Sequence, residues 1–474
     1  MEHHSGGLHV ETLVEIISGR LYFAVVKGSA AYKMKSTNDT FYFNIDNELF
    51  YNNYYLDFGP LNISCLYKYC LKLNKYLSLV KGLRRVVHYT TNNDKKKANA
   101  AFLMGSYAVI YLQMYPEIVA KMLQPAGPFK GFVDASPSPS PYKLSIINCL
   151  RAIYKALAFK FFDFKDFNDI EYDRMNSIQY GDLNWLVPKK FIAFIGPNQK
   201  EILNLHKPDF YIKYFLKNDV KTVIRLNKKS YDAAVFREAG INHYDLIFAD
   251  GSVPPTDILL KFLEIAEEAP SVIAVHCKAG LGRTGSLIGA YLLKHYRMTA
   301  KEAIAWMRIC RPGSVIGHQQ YWLEYLEKPM WDFGAQYRIR VYQQSDRIPC
   351  HKYGIYSRKW PVVREKMIQE ARRKQSKSLC DEPMLKRTER RLKSASPTNK
   401  PYLKVSTLTK GRDSKYNLEK PLCSTKSAIF ERKLSAKKNT QGDKLNNIKT
   451  KRHNSMEEKT LKQKISILYQ KHNW

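Results

Sequence analysis

The sequence contains no CxxC pair, although it holds eight cysteines: Cys65, Cys70, Cys149, Cys277, Cys310, Cys350, Cys380 and Cys423. Without paired thiols or Cys/His ligand spacing, neither a disulfide framework nor a zinc site is indicated. Most of these cysteines are expected to be small buried hydrophobes. No apolar run approaches the roughly 18 residues of a membrane span. The opening stretch MEHHSGGLHVETLVEII lacks the basic-then-apolar order of a signal peptide. Together these absences point to a cytosolic or nuclear setting.

Acidic charge is also scarce. Lys and Arg number 77 against 43 Asp and Glu, a net charge of +34. Residues 351–474 carry 33 basic against 11 acidic residues, a net of +22, which leaves +12 for the first 350. The chain therefore reads as a mildly basic body with a strongly basic tail. Clustered Lys and Arg can give salt-dependent affinity for phosphate backbones or acidic partners. A solvated extension accounts for the same composition.

What is present is a substantial globular chain. At 474 residues, 45% hydrophobic and 13% aromatic, it can bury two or three cores. Residues 9–160 form a first folded segment. In it, RLYFAVV (20–26) and RRVVHYT (84–90) read as strands and KKANAAFLMGSYAVIYLQ (96–113) as a helix. ASPSPSPY (135–142) reads as a surface loop. Residues 161–188 are an acidic linker. Residues 189–340 alternate strands and helices, with TVIRLN (222–227), HYDLIFAD (243–250) and SVIAVHC (271–277) as strands. This is an α/β layout, in which ligands sit at the carboxyl ends of strands. From 341 to 474 the pattern dissolves into basic low-complexity sequence, expected to be a disordered tail.

Chemistry concentrates in His276-Cys277-Lys278-Ala279-Gly280-Leu281-Gly282-Arg283-Thr284-Gly285. Five residues between Cys277 and Arg283 are enough to curl a loop around one tetrahedral anion. Gly280 and Gly282 permit the tight backbone, and successive N–H groups can form an anion nest at a helix N-terminus. Arg283 can fork onto two phosphate oxygens. The same field lowers the thiol pKa of Cys277, producing a nucleophile aimed at phosphorus. His276 is expected to orient the loop. Thr284 is expected to donate to the sulfur. Asp250, in FADGSVPP (248–255), either caps a turn or serves as the proton donor to the leaving oxygen. Gln319 and Gln320 either position the hydrolytic water or open a polar helix.

An internal similarity links residues 86–117 with 274–302: each has an apolar strand, a histidine, a loop and a small-residue-rich helix. In the first copy Tyr89 stands where the second has Cys277, and its loop lacks glycines.

The loop HCKAGLGRTG resembles that of cysteine-dependent protein phosphatases. The fuller set of FADG, VHCKAGLGRTG and KHYRMTAKEAIAWMRICRPGSVIG, with IDNELFYNNYYLDFGPLN (45–62) and GDLNWLVPKKFIAFIGP (181–197), resembles the cell-division-cycle-fourteen family of dual-specificity phosphatases. That resemblance covers about residues 9–330. It implies two tandem protein-tyrosine-phosphatase-like α/β domains, the first inactive. It also implies hydrolysis of phosphoserine or phosphothreonine before proline, and of phosphotyrosine, through a phosphocysteine, without metal or cofactor. By position, Cys277 is the nucleophile, Arg283 the phosphate ligand and Asp250 the general acid, with Lys278 to Gly282 binding phosphate through their backbone. Glu171 and Asp173 are implied to receive a basic residue of the substrate. Asn176 and Gln179 stand where further carboxylates are usual, and His318 replaces a usual proline. The resemblance places such a protein in nucleus or nucleolus, cytoplasm, and centrosome or spindle, in cell-cycle control. Two other readings share parts of the pattern: a phosphoinositide phosphatase, and a binding protein with a vestigial site and a nucleic-acid-binding tail.

Overall fold

A computed structural model describes residues 9–28, 34–80, 84–200, 205–380 and 440–455. Two sheets form the frame. In the first, β1 (His9–Ile17), β2 (Leu21–Lys27), β3 (Thr40–Phe43) and β4 (Arg85–Thr91) lie in the order β1-β2-β4-β3, with β1 antiparallel and the rest parallel. In the second, β5 (Leu183–Val187), β6 (Phe191–Phe194), β7 (Val220–Arg225), β8 (Asn242–Asp245) and β9 (Val272–His276) lie in the order β5-β6-β9-β7-β8. Only β5 is antiparallel there. β9 is central and every residue in it is buried, which explains its unbroken apolar run VIAVH.

Each sheet sends its central strand into a helix: β4 into Asp94–Tyr111 and β9 into Gly282–Tyr296. The repeated strand–turn–helix read from the sequence is therefore two copies of one unit. Asn93 caps the first helix by accepting from Lys95 and Lys96 N–H, as an N-cap asparagine should. Thr299 and Glu302 close a capping box on the helix Ala300–Cys310.

The halves share one apolar core. Trp306 is fully buried near Phe161 and Phe162 and donates to Leu186 O at 2.8 Å. Burying such a side chain stabilises by about 2–3 kcal/mol. Polar ties cross as well. Tyr172 Oη donates to Cys310 O at 2.9 Å, and Lys155 pairs with Glu302 at 2.6 Å.

Two boundaries differ from the sequence reading. The strand expected over 243–250 ends at Asp245, because the following segment turns off the sheet toward the start of the helix after β9, where Phe248 O accepts from Arg283. Ordered structure also continues past 340. The helix Gln319–Tyr342 leads to a segment in which Ile355 and Tyr356 are buried, and residues 440–455 return as a helix against the body. Lys359–Cys380 is a further helix, and residues 381–439 and 456–474, Cys423 among them, lie outside the described residues.

Candidate active site

β9 ends at His276, level with Phe194 on β6 and Arg225 on β7. The chain then leaves the sheet as a loop, 277–281, and enters the helix at Gly282. Gly280 has φ +66, and a Cβ there would lie 2.0 Å from Phe194 O. No side chain fits at that position, which is why the loop needs a glycine.

A residue that sequence reasoning passed over sets the loop's shape. Arg311 is fully buried; its Nε donates to Gly280 O at 2.7 Å and its Nη2 to Ala279 O at 3.1 Å. Its Nη1 donates to Asp182 Oδ1 at 2.8 Å and Asn184 Oδ1 at 2.6 Å. Pulling these carbonyls outward turns the loop's N–H groups toward its hollow, as an anion nest requires. The signal was within reach: Arg311 opens the stretch RPGSVIG, and Asp182 closes the acidic linker.

Cys277 is 3% exposed. Burial alone pushes its thiol up, and Asp250 pushes the same way. Arg283, the Thr284 hydroxyl and the Thr284 N–H outweigh them and hold the thiol below its ordinary value. The Thr284 hydroxyl makes no well-aligned bond to any other group. The other buried thiols contrast with it: burial raises Cys65 to about 11 and Cys149 to about 12, and lifts Cys70 and Cys310 well above normal. Cys277 is thus the one of these five thiols whose environment favours the thiolate, while burial disfavours it in the others.

Arg283 is held by Phe248 O at 2.9 Å and Leu226 O at 3.2 Å through Nη1, and by Asp250 Oδ1 at 3.0 Å through Nη2. Its Nε is buried with no partner. An orphaned guanidinium N–H beside an anion nest suits a phosphate oxygen. Asp250 therefore reaches the site from a loop, five residues beyond β8, through the Arg283 ion pair.

His276 carries no acid–base burden here. Cys277 O can only accept, so His276 Nδ1–H donates to it at 2.9 Å, and Nε2 accepts from Tyr231 Oη at 2.7 Å. Tyr231 Oη in turn accepts from His243 Nε2–H at 2.8 Å. Burial, outweighing the bond to Cys277 O, holds His276 neutral down to about 3, and burial followed by Arg225 brings His243 to about 4. The chain His243, Tyr231, His276 fixes the carbonyl that begins the loop. Tyr231 and His243 lie in RLNKKSYDAAVFREAGINHYDL (225–246), a stretch that carries the family resemblance, but nothing local gives them this role.

The remaining expected residues divide. Lys278 lies on the loop's outer face and pairs with Asp443. Gln319 is fully buried, joins Ser252 O at 3.0 Å to Ile316 N at 3.0 Å, and stands against Gly282. It ties the Asp250 loop to the catalytic loop. Both ends of Gln320 are taken by Arg308 and Gly317 O, so it braces the 314–317 turn. Asp173 pairs with Lys68 and lines, with Asn176 and Asp182, a cleft of about 420 Å³ that also borders Leu281 and Arg311. Glu171 instead accepts from Tyr214 Oη at 3.4 Å, and burial raises its carboxyl.

A buried cysteine with a lowered thiol pKa, five residues intervening before an arginine, at the end of a central parallel strand and facing a loop aspartate paired with that arginine, defines the cysteine-dependent protein tyrosine phosphatase class. Known proteins agree. Residues 15–156 match the family described as Dual specificity protein phosphatase, N-terminal half, and residues 202–297 match Polymorphic toxin system, DSP-PTPase phosphatase. Dual specificity protein phosphatase CDC14A of Homo sapiens is 48% identical over 334 residues, 69% of this chain and 56% of its own. CDC14B of Mus musculus is 46% identical over 70% of this chain and 68% of its own. The tyrosine-protein phosphatase cdc-14 of Caenorhabditis elegans is 41% identical over 71% of this chain and 49% of its own. The chain belongs to the CDC14 family of dual specificity phosphatases. It spans about half the length of several curated relatives it matches.

Proposed function

We propose that this protein hydrolyses phosphoserine, phosphothreonine and phosphotyrosine in proteins through a phosphocysteine. The carrying observation is the lowered Cys277 thiol beside the unpartnered Nε of Arg283. In the first step Sγ attacks phosphorus while the protonated Asp250 carboxyl gives its proton to the departing oxygen. The P–O bond breaks as the P–S bond forms. In the second, Asp250 takes a proton from water, the water oxygen bonds to phosphorus, and the thiolate leaves. Arg283 and the loop N–H groups stabilise the equatorial oxygens throughout. The carboxylates Asp173 and Asp182 along the cleft support acceptance of a basic residue near the phosphosite, as in a substrate with a proline after phosphoserine. We extend the reading to cell-cycle control in nucleus and cytoplasm, with the basic tail available to acidic partners or nucleic acid.

The test is the purified full chain on phosphoserine-proline peptides, phosphotyrosine peptides and inositol phospholipids, with Cys277→Ser as control. Turnover of the peptides, lost in the control, is expected. Activity confined to lipids would replace this reading with a phosphoinositide phosphatase, and turnover by Cys277→Ser would refute the mechanism.

A further inference from the structure

The mouth of the catalytic loop is covered by a segment of the same chain. Residues 441–455 are helical, and the sequence starts that helix itself. Thr440 Oγ1 accepts from Asp443 N–H at 3.3 Å, and Asp443 Oδ2 accepts from Thr440 N–H at 3.0 Å, a capping-box arrangement. A helix of this length is marginal alone in water, so its order comes from what it rests on.

What it rests on is the site. Gly442 N–H donates to Asp250 Oδ2 at 2.9 Å. A Cβ at Gly442 would lie 2.6 Å from Lys278 Cβ and 3.1 Å from Asp250 Oδ2, so only glycine permits this approach. Asp443 pairs with Lys278 at 2.5 Å, and Asn446 Nδ2 donates to Lys278 O at 3.3 Å. Leu445 is buried in a small apolar cluster with Ala135, Ala279, Leu281 and Ile316. Lys449 pairs with buried Asp182 and donates to Ala279 O at 3.3 Å. Arg452 donates to Asn53 O and lies 4.7 Å from the Tyr54 ring. The contacts at 442, 445, 446, 449 and 452 follow helical spacing along one face.

The consequences are chemical. Both carboxylate oxygens of Asp250 are engaged, Oδ1 by Arg283 and Oδ2 by Gly442 N–H. Neither faces a leaving group. Lys449 takes the Asp182 carboxylate that a basic substrate residue would meet. With the segment docked, Cys277 and Arg283 are 3% and 4% exposed. We propose that residues 440–455 are an intramolecular ligand of the catalytic cleft, closing it to phosphoprotein substrate until they undock. This rests on the phosphatase reading for its effect on turnover, and the docking itself is tested independently. Because only the undocked fraction binds substrate, the apparent KM varies inversely with that fraction, and undocking lowers it.

Two full-chain variants open the cleft without altering catalytic groups: Gly442→Leu, and Leu445→Asp combined with Lys449→Glu. Both are expected to raise kcat/KM on a phosphoserine-proline peptide by roughly three- to tenfold, mainly through KM. In parallel, amide hydrogen exchange of 440–455 is followed in full-length Cys277→Ser, with and without that phosphopeptide. Protection in the free protein that falls when peptide is added, or when Gly442→Leu is introduced, supports docking. Unchanged kcat/KM in both variants overturns the proposal. So does exchange across 440–455 as fast as in an isolated peptide. Should no form turn over any substrate, the phosphatase reading falls, and the exchange measurement alone decides whether the cleft holds this segment.

Discussion

Arg311→Lys is the sharpest probe of how the loop is built. The guanidinium reaches four oxygens, on Gly280, Ala279, Asp182 and Asn184. Lysine keeps the charge that balances buried Asp182 but, as a point donor, cannot hold two loop carbonyls and two side chains together. At least two buried acceptors lose their partner, each costing about 1–3 kcal/mol, so a stability loss of about 2–6 kcal/mol is expected. The freed carbonyls let the loop's N–H groups swing from the phosphate position. Loss of a preorganised donor set typically costs about 10²–10³ in kcat. The Cys277 sulfur also loses its fixed place beside Arg283 and Thr284, which lower its pKa, so its thiolate forms at higher pH than in the unaltered protein. The assay combines kcat and KM on a phosphopeptide, thermal unfolding, and ultraviolet thiolate absorbance against pH. Should melting fall while kcat stays within threefold and the thiolate transition does not move, Arg311 supports the fold only and the argument about loop carbonyls is wrong.

Cys277→Ser should abolish turnover yet retain phosphopeptide binding, read by calorimetry, since Arg283 and the loop amides remain. Asp250→Ala should slow phosphoserine peptide hydrolysis by roughly 10²–10⁴-fold, and by much less with para-nitrophenyl phosphate, whose leaving group needs little protonation; equal losses on both would exclude the acid role. Tyr231→Phe removes the donor to His276 Nε2, leaving a buried acceptor unpaired at about 1–3 kcal/mol, and should lower kcat about tenfold with KM little changed. Acid sensitivity comes from imidazoles that burial holds neutral, most strongly His88 and His276 to about 3, with His243 and His351 to about 4. Their native pKa lies below the unfolded value of about 6.5, so the unfolded chain binds more protons between these limits. Stability is full above pH 6.5 and falls as pH drops through that window, by about 2 kcal/mol per imidazole at pH 5. His88→Phe should soften that loss in chemical denaturation; an unchanged pH slope would show that His88 is not the titrating group.

The site was legible wherever chemistry writes itself into consecutive residues. Cys277, Gly280, Gly282 and Arg283 act within one turn of chain, and the spacing alone demanded a cradle. Asp250 was legible as a candidate, but not the way it is held, because the Arg283 ion pair joins two loops 33 positions apart. Arg311, Tyr231 and His243 act across the fold through carbonyls and a hydroxyl, and such contacts leave no local pattern. The tail misled for a related reason. Composition reports what a segment does alone, and residues 440–455 are basic and polar enough to read as solvated. Their order depends on Leu445 finding Ala279 and Leu281, and on Lys449 finding Asp182. The capping box Thr440-Gln441-Gly442-Asp443 was the one local sign of a helix there.

The first copy of the strand–turn–helix unit lacks the loop that the proposed phosphate chemistry needs, and its contacts show what it contributes instead. β4 runs on through Tyr89 to Thr91, and only Asn92 and Asn93 separate it from its helix. Two residues cannot curl around a tetrahedral anion. The Tyr89 carbonyl is instead bonded by Asn44 Nδ2 at 2.8 Å, and Asp46 accepts from Thr90 and Thr91 where a nest would open. His88 keeps a tyrosine partner, Tyr69 at 2.9 Å, as His276 keeps Tyr231. The shared histidine–tyrosine pair therefore belongs to the scaffold, whereas the nucleophile and its loop belong to one copy. The first half contributes a wall. Asp134 accepts from Gly317 N–H, Tyr54 stands over Gly313, and Ala135 packs against Ala279 and Leu281. These contacts brace the turn carrying Gln319 and form one side of the cleft that Asp173 and Asp182 line. Losing chemistry in the first copy did not make it dispensable, because the second copy's loop is packed against it.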